Sequence, residues 1–274
     1  MRVAALQERA EPGDPAANLA MIAAAARQAA DAGATVLVTP ELFLTGYAPE
    51  RIGASFDAAA IPALREGAAS IARDAGIALV VSLPGTDADG ALTITATLVD
   101  RNGRAALSYT KVHLFGPDEA AVFRPAEEAP GVVELDGVPT SLLICYDVEF
   151  PEAVRAAADA GAELVLVPTA LSAGFEAVPQ VLLRARALES QVALVYANHC
   201  GTEDGLDFLG HSVVVGPDGA LLAEADAGTA LLVADVPDDA VRRARAAVPY
   251  LAERRTDLYR RWHEDASAAG PASQ

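Results

Sequence analysis

The stretches "RVAAL", "TVLVTPE", "IALVVSLP", "TSLLICYD", "AELVLVPTA", "VALVYAN" and "TALLVADV" are nearly continuous apolar runs, and they restrict the fold more than any other feature of the chain. Short unbroken runs bounded by turn residues read as strands buried on both faces, whereas alternation would mark a sheet with one wet face. Between them lie Ala-rich segments with helical punctuation. One spans Ala16 to Ala32 and stops at Gly33, another spans Ile61 to Asp74 before Gly76, "PEAVRAAADAG" has Pro near its start and Gly past its end, and "PQVLLRARALESQ" follows. Doubly buried strands need helices for cover, so the pattern predicts an α/β layered fold. "LTITATLVD" and "AALSYT" joined by "RNG", and the "PDG" turn inside "HSVVVGPDGALLAEA", predict hairpins and therefore mixed sheets. One domain is expected over residues 1–265, its last helix at about Asp238 to Ala246, with residues 266–274, "ASAAGPASQ", a disordered tail.

Composition narrows the partners. Of 274 residues 52% are hydrophobic and only 5% aromatic, and the net charge is −18. That charge opposes nucleic-acid phosphates and anionic lipid, so no nucleic acid and no membrane is expected as a partner, and a neutral or cationic small molecule is. The two cysteines, Cys145 and Cys200, are too few for a disulfide framework and lack metal-type spacing. No signal-peptide apolar stretch is visible beyond Val3 to Leu6, so a reducing, cytoplasmic setting is expected.

Three residues able to do chemistry share one kind of position. Glu41 ends "TVLVTPE", Lys111 follows "AALSYT" and Cys145 ends "TSLLIC", each at the carboxyl end of a predicted strand, where α/β sheets gather their ligands. A thiol needs a base or a cation to become a nucleophile. Glu41 is placed to take its proton, Lys111 to stabilise thiolate and oxyanion, and the N–H of Tyr146 to donate a second oxyanion bond. Taken singly each has a plainer reading: a packed strand-end cysteine, a turn glutamate, a solvated lysine. Their coincidence on separate strands favours chemistry.

"PELFLTGY", "YTKVHLFGPDE" and "LLICYDVEFPE", in that order, resemble the three signature blocks of the nitrilase superfamily of carbon–nitrogen hydrolases, and the resemblance extends through "LLRARALESQ", "VYAN" and "GHSVVVGPDG". It implies a four-layer αββα sandwich with two mixed β-sheets and a Glu–Lys–Cys catalytic set at Glu41, Lys111 and Cys145, with Glu119 as a second glutamate positioning the lysine and substrate. It implies attack by Cys145 on an amide carbon, loss of ammonia assisted by Glu41, and hydrolysis of the resulting thioester without metal or organic cofactor. Tyr47, Tyr146, His113, Asp147 and Glu149 are the expected oxyanion or substrate contacts. A homo-oligomer is expected by the same resemblance.

Within the superfamily, Tyr146 and Asp147 stand where true nitrilases carry Trp and Glu, which counts against nitriles. The blocks are most similar to the aliphatic amidase branch, including 5-aminopentanamidases and R-stereoselective amidases. A small linear carboxamide is the expected substrate, an ω-amino amide being one form, with Asp118, Asp147, Glu149 and Glu176 as acids that would pair with the amine. N-carbamoyl amine hydrolysis, omega-amide or deaminated glutathione hydrolysis, a cysteine peptidase relying on His113, and a catalytically silent binding module are the alternatives. A metal site joining His113, His199 and His211 is disfavoured by spacing. Cys200 reads as structural.

Overall fold

Along β1 (Arg2–Gln7), Val3 and Ala5 point one way and Ala4 and Leu6 the other, and none is more than 5% exposed. The same division recurs in β2 (Val36–Val38) and β3 (Ala78–Thr86), where Val36, Val38, Ala78 and Val80 face one core and Leu37, Leu79 and Val81 another. This is the double burial that the apolar runs demand. The structure, a computed structural model, describes residues 1–269.

The three strands are parallel and lie at the centre of a six-stranded sheet. β14 (Ala230–Asp235) flanks β1 antiparallel, and β4 (Leu92–Val99) and β5 (Ala105–Thr110) continue antiparallel beyond β3. The β4–β5 hairpin turns through "RNG" as expected. Gly103 takes φ 78° and the register shifts between Leu98 and Val99, so it closes with a bulge.

The second six-stranded sheet repeats the plan. β7 (Val138–Leu142), β8 (Leu164–Pro168) and β9 (Ala193–Ala197) are parallel. They are flanked by β6 (Val132–Leu135) on one side and by β12 (Val213–Val215) and β13 (Leu221–Glu224) on the other. α1 (Pro15–Asp31) and α3 (Ile61–Ala75) cover the first sheet with Ile22, Ala25, Ala26, Leu64, Ala68 and Ala72. α5 (Pro151–Asp159) and α6 (Leu183–Ser190) cover the second with Val154, Ala157, Leu183 and Ala187. The sheets face each other, β1 against β9 and β2 and β3 against β8, giving the expected αββα order. Each Leu or Val sealed here contributes roughly 1.5–3 kcal/mol relative to an exposed position.

Several sequence expectations change. The predicted strand "TSLLICYD" stops at Leu142, and a 3-10 turn occupies Cys145–Glu149, because Cys145 adopts φ 46° and cannot stay in an extended ladder. A hairpin of β10 (Cys200–Glu203) and β11 (Leu206–Leu209) occupies "CGTEDGLDFLG". The helix expected last, α7 (Ala240–Ala247), is followed by α8 (Tyr250–Glu253) and α9 (Thr256–Ala269). Of the tail expected at 266–274, the first four residues close α9 and residues 270–274 lie outside the described residues. Two short helices, α2 (Pro49–Ser55) and α4 (Gly116–Val122), pack on each other at the rim where the parallel strands end.

Candidate active site

Pro40 has no N–H to continue the β2 ladder, so the chain leaves the sheet after Thr39, whose N–H and hydroxyl both reach the Val80 carbonyl at 3.0 Å. The next residue is Glu41. Its N–H crosses to the second sheet and donates to Thr169 O at 3.1 Å, just past Pro168 at the end of β8. Lys111 follows β5 directly, its N–H bonded to Ile94 O at 2.9 Å and its carbonyl accepting from Ala126 N–H at 2.9 Å. Cys145 lies three residues beyond β7, so the expected strand-end placement is corrected to a rim of turns just past the strands.

These turns bring Glu41, Lys111, Glu119 and Cys145 together. The Lys111 ammonium donates to Glu41 Oε1 at 2.8 Å and to both Glu119 oxygens at 2.8 and 2.9 Å. Glu119 sits in the first turn of α4, where its Oε2 also accepts from Phe115 N–H at 2.8 Å and its Oε1 from the Tyr47 hydroxyl at 2.6 Å. Glu41, Lys111 and Glu119 are fully buried, and Cys145 keeps 6% exposure. Three charges so far from water persist because each is paired.

The thiol lies against the Glu41 carboxylate and the Ala170 N–H. Glu41 Oε2 makes no hydrogen bond of its own. Burial raises the Glu41 carboxyl most, Lys111 opposes and Glu119 adds, and together they carry it from the ordinary 4.5 to about 7. Burial also raises the Cys145 thiol, reinforced by Glu41 and opposed by Lys111. For Lys111 burial works against the ammonium, but Glu41, Cys145 and Glu119 outweigh it and hold the charge. With the thiol pushed well up, Glu41 is the group of this pair that ionises first, about half of it carboxylate at pH 7, beside a neutral thiol. A base near 7 suits a group that must take a proton and return it. The Tyr146 N–H, beside the thiol, has no protein acceptor among the described residues.

A pH dependence follows. The rate constant kcat/KM should rise as Glu41 ionises, with an apparent midpoint at about 7, and show no alkaline gain from the thiol until well above that. Stability has the opposite sign. Between 4.5 and about 7 the unfolded chain has released this proton while the folded chain still holds it, so Glu41's contribution falls as pH rises through that window. Initial rates across pH 5–9 and melting curves of the native protein against Glu41→Gln at about pH 5 and 8 test both signs.

The remaining sequence candidates divide. Asp147, fully buried, accepts from His113 N–H and meets His113 Nδ1 at 2.8 Å each, accepts the Tyr109 hydroxyl at 3.0 Å, and lies 3.4 Å from Ile144 N. It ties the Lys111 loop to the Cys145 turn and has no free edge for a ligand. His113 stacks on Phe150, centroids 3.9 Å apart. His199 is buried beneath Glu41 and His211 lies 3.7 Å from Glu224, so the three histidines occupy separate places. Glu149 is half-buried, its carboxyl raised by burial, and its backbone carbonyl accepts from Arg186 at 2.6 Å. Asp118 and Glu176 are exposed. Cys200 is buried 3.8 Å from the Thr229 hydroxyl.

Sequence reasoning missed the aromatic rim. Phe115 meets Tyr146 at 5.3 Å and Phe175 at 5.8 Å, both edge to face, and Tyr146 meets Phe150 at 4.9 Å. It also missed Asn198, which accepts from Leu171 N–H at 2.8 Å and donates to Gly210 O at 2.7 Å, fixing the loop that follows Ala170. Its position at the end of "VALVYAN" was the available signal.

Comparison with known proteins converges on one family. Residues 2–246 match the carbon–nitrogen hydrolase family model. An (R)-stereoselective amidase from Pseudomonas sp. is 34% identical over 94% of this chain and 93% of its own. A 2-oxoglutaramate amidase from Bacillus subtilis is 30% identical over 82% of this chain and 87% of its own. The crystal structure of an amidase from Nesterenkonia sp. superposes with TM-score 0.89 at 51% identity, covering 96% of each chain. Mutants of the Nesterenkonia amidase have been solved with acrylamide added at the active-site cysteine and with butyramide bound.

Proposed function

The chain belongs to the carbon–nitrogen hydrolase family of the nitrilase superfamily, and from that membership we propose that it is an amidase that cleaves a small linear carboxamide to carboxylate and ammonia. The observation that carries this reading is the Lys111 ammonium held between Glu41 and Glu119 against the Cys145 turn. Sulfur attacks the amide carbon as its proton moves to Glu41, and Lys111 and the Tyr146 N–H receive the oxyanion. The C–N bond then breaks with the proton returned from Glu41 to nitrogen, ammonia departs and a thioester remains. Water, deprotonated by Glu41, releases the acid and restores the thiol.

An ω-amino substituent on the acyl chain suits the surroundings. The aromatic rim offers ring faces to an alkyl stem and an ammonium. Of the four acids considered for the amine, Asp147 is engaged and Asp118 and Glu176 lie in solvent, which leaves Glu149. Glu149→Gln should raise KM for 5-aminopentanamide about tenfold while changing KM for pentanamide about twofold or less, a difference of the size expected for one partly buried ion pair. Equal changes for both would remove Glu149 from recognition. Ammonia release across neutral, ω-amino and ω-carboxy carboxamides, N-carbamoyl amines and nitriles tests the class itself, and turnover of none would favour a binding module.

We also propose a homo-oligomer. Val181, Leu188, Val248 and Tyr250 are exposed apolar residues on neighbouring parts of α6, α8 and their flanks, and burying such a patch favours association.

A further inference from the structure

We propose that His199, braced by Glu203, is a positioning residue that aims the Glu41 base. His199 is fully buried in an aromatic cage, its ring 5.6 Å from Phe43, 5.0 Å from Phe208 and 6.5 Å from Tyr47. Its Nε2 lies 2.6 Å from the backbone carbonyl of Glu41, 158 residues away in sequence. A carbonyl only accepts, so Nε2 carries a hydrogen. Nδ1 lies within hydrogen-bond distance of Glu203 Oε1, at 2.6 Å, and Oε1 also accepts from Ala10 N–H at 2.8 Å.

A buried histidine with both nitrogens satisfied is commonly a core linker, and the acceptor is what sets this one apart. The Glu41–Leu42 peptide is the hinge on which the base is mounted. Leu42 holds φ 51°, a left-handed conformation that strains a leucine. The Glu41 N–H, in the peptide before the residue, is pinned to Thr169 O at 3.1 Å, and its carbonyl, in the peptide after it, to His199, so Glu41 is held on both sides of its Cα. Loss of the His199 bond frees the peptide to rotate and swings the carboxylate away from the thiol. Groups engaging Glu41 at the other end, Lys111 and the thiol, fix the carboxylate but not its backbone.

This inference rests on the amidase reading for its steady-state arm only. Turnover of butyramide and the rate of acrylamide addition to Cys145, followed by intact mass, are measured for native protein, His199→Ala, His199→Gln, Glu41→Gln and His199→Ala/Glu41→Gln. His199→Ala should lower kcat about ten- to a hundredfold with KM changed by about threefold or less, the pattern of a lost transition-state alignment. His199→Gln, whose amide N–H takes the place of Nε2–H, should recover to within about fivefold of native. Acrylamide addition should slow on His199→Ala in the native background and not slow further in Glu41→Gln. Equal slowing in both backgrounds, or a His199→Gln no better than His199→Ala, overturns the proposal. Should His199→Ala not fold, Glu203→Met, which keeps the length of the side chain but can neither donate to nor strongly accept from Nδ1, decides it: kcat lowered at constant KM supports the proposal, and native kcat overturns it. Native protein inert to butyramide yet showing the acrylamide pattern would count against the substrate and leave the positioning role supported.

Discussion

Lys111→Met should lower kcat about a thousandfold or more and cost about 3–5 kcal/mol of stability. Both losses come from one atom. Nζ neutralises Glu41 and Glu119, bonded to them at 2.8 to 2.9 Å with all three residues fully buried. Without it two carboxylates face each other in a dry site, and the fold relieves this by binding a proton. The destabilisation should therefore be larger at about pH 8 than at about pH 6, because the proton is harder to recruit. Denaturant unfolding at the two values, with ammonia release in parallel, measures it. A variant as stable as the native protein at both would mean that the lysine is not the counter-ion the geometry makes it.

Glu41→Gln should behave differently. Glutamine preserves shape, and its Oε1 still accepts from Lys111, so the protein should fold with native or higher stability at about pH 8, where the ionised carboxylate is the costly form. The base is gone, and kcat should drop about a hundred- to ten-thousandfold. Cys145 remains in place, so acrylamide should still add to it. The two variants together separate charge balance from proton transfer: one loses activity and stability, the other activity alone. A Glu41→Gln protein with native kcat would point to another base, and His113, stacked on Phe150 and tied to Asp147, would be the next residue to test.

The layered fold was legible because burial on both faces leaves apolar runs that need no context to read. The gathering of Glu41, Lys111 and Cys145 was legible because parallel strands deliver their ends to one rim. Less visible was where the strands stop. "SLLIC" is apolar throughout, and nothing in it reveals that the ladder ends at Leu142 or that Cys145 turns to φ 46°. Glu119 lies in "GPDEAAV", which has the look of a solvated helix start, and its burial depends on Lys111 and Tyr47 arriving from elsewhere. Asp147 shows the same limit: beside the nucleophile it read as a substrate contact, yet His113 and Tyr109 occupy it. The β10–β11 hairpin was in plain view, since Asp204 and Gly205 take φ 46° and 85° and "DG" is the standard signal for such a turn.

The proposed reaction requires Cys145 to become an acyl thioester. Native protein mixed with a linear carboxamide such as butyramide, quenched in acid and digested, should yield the Cys145 peptide heavier by one acyl group. That adduct should disappear on treatment with hydroxylamine and be absent from Cys145→Ala. Ammonia released with no acyl group ever found on Cys145, or with the group found on Cys200 instead, would contradict this reaction.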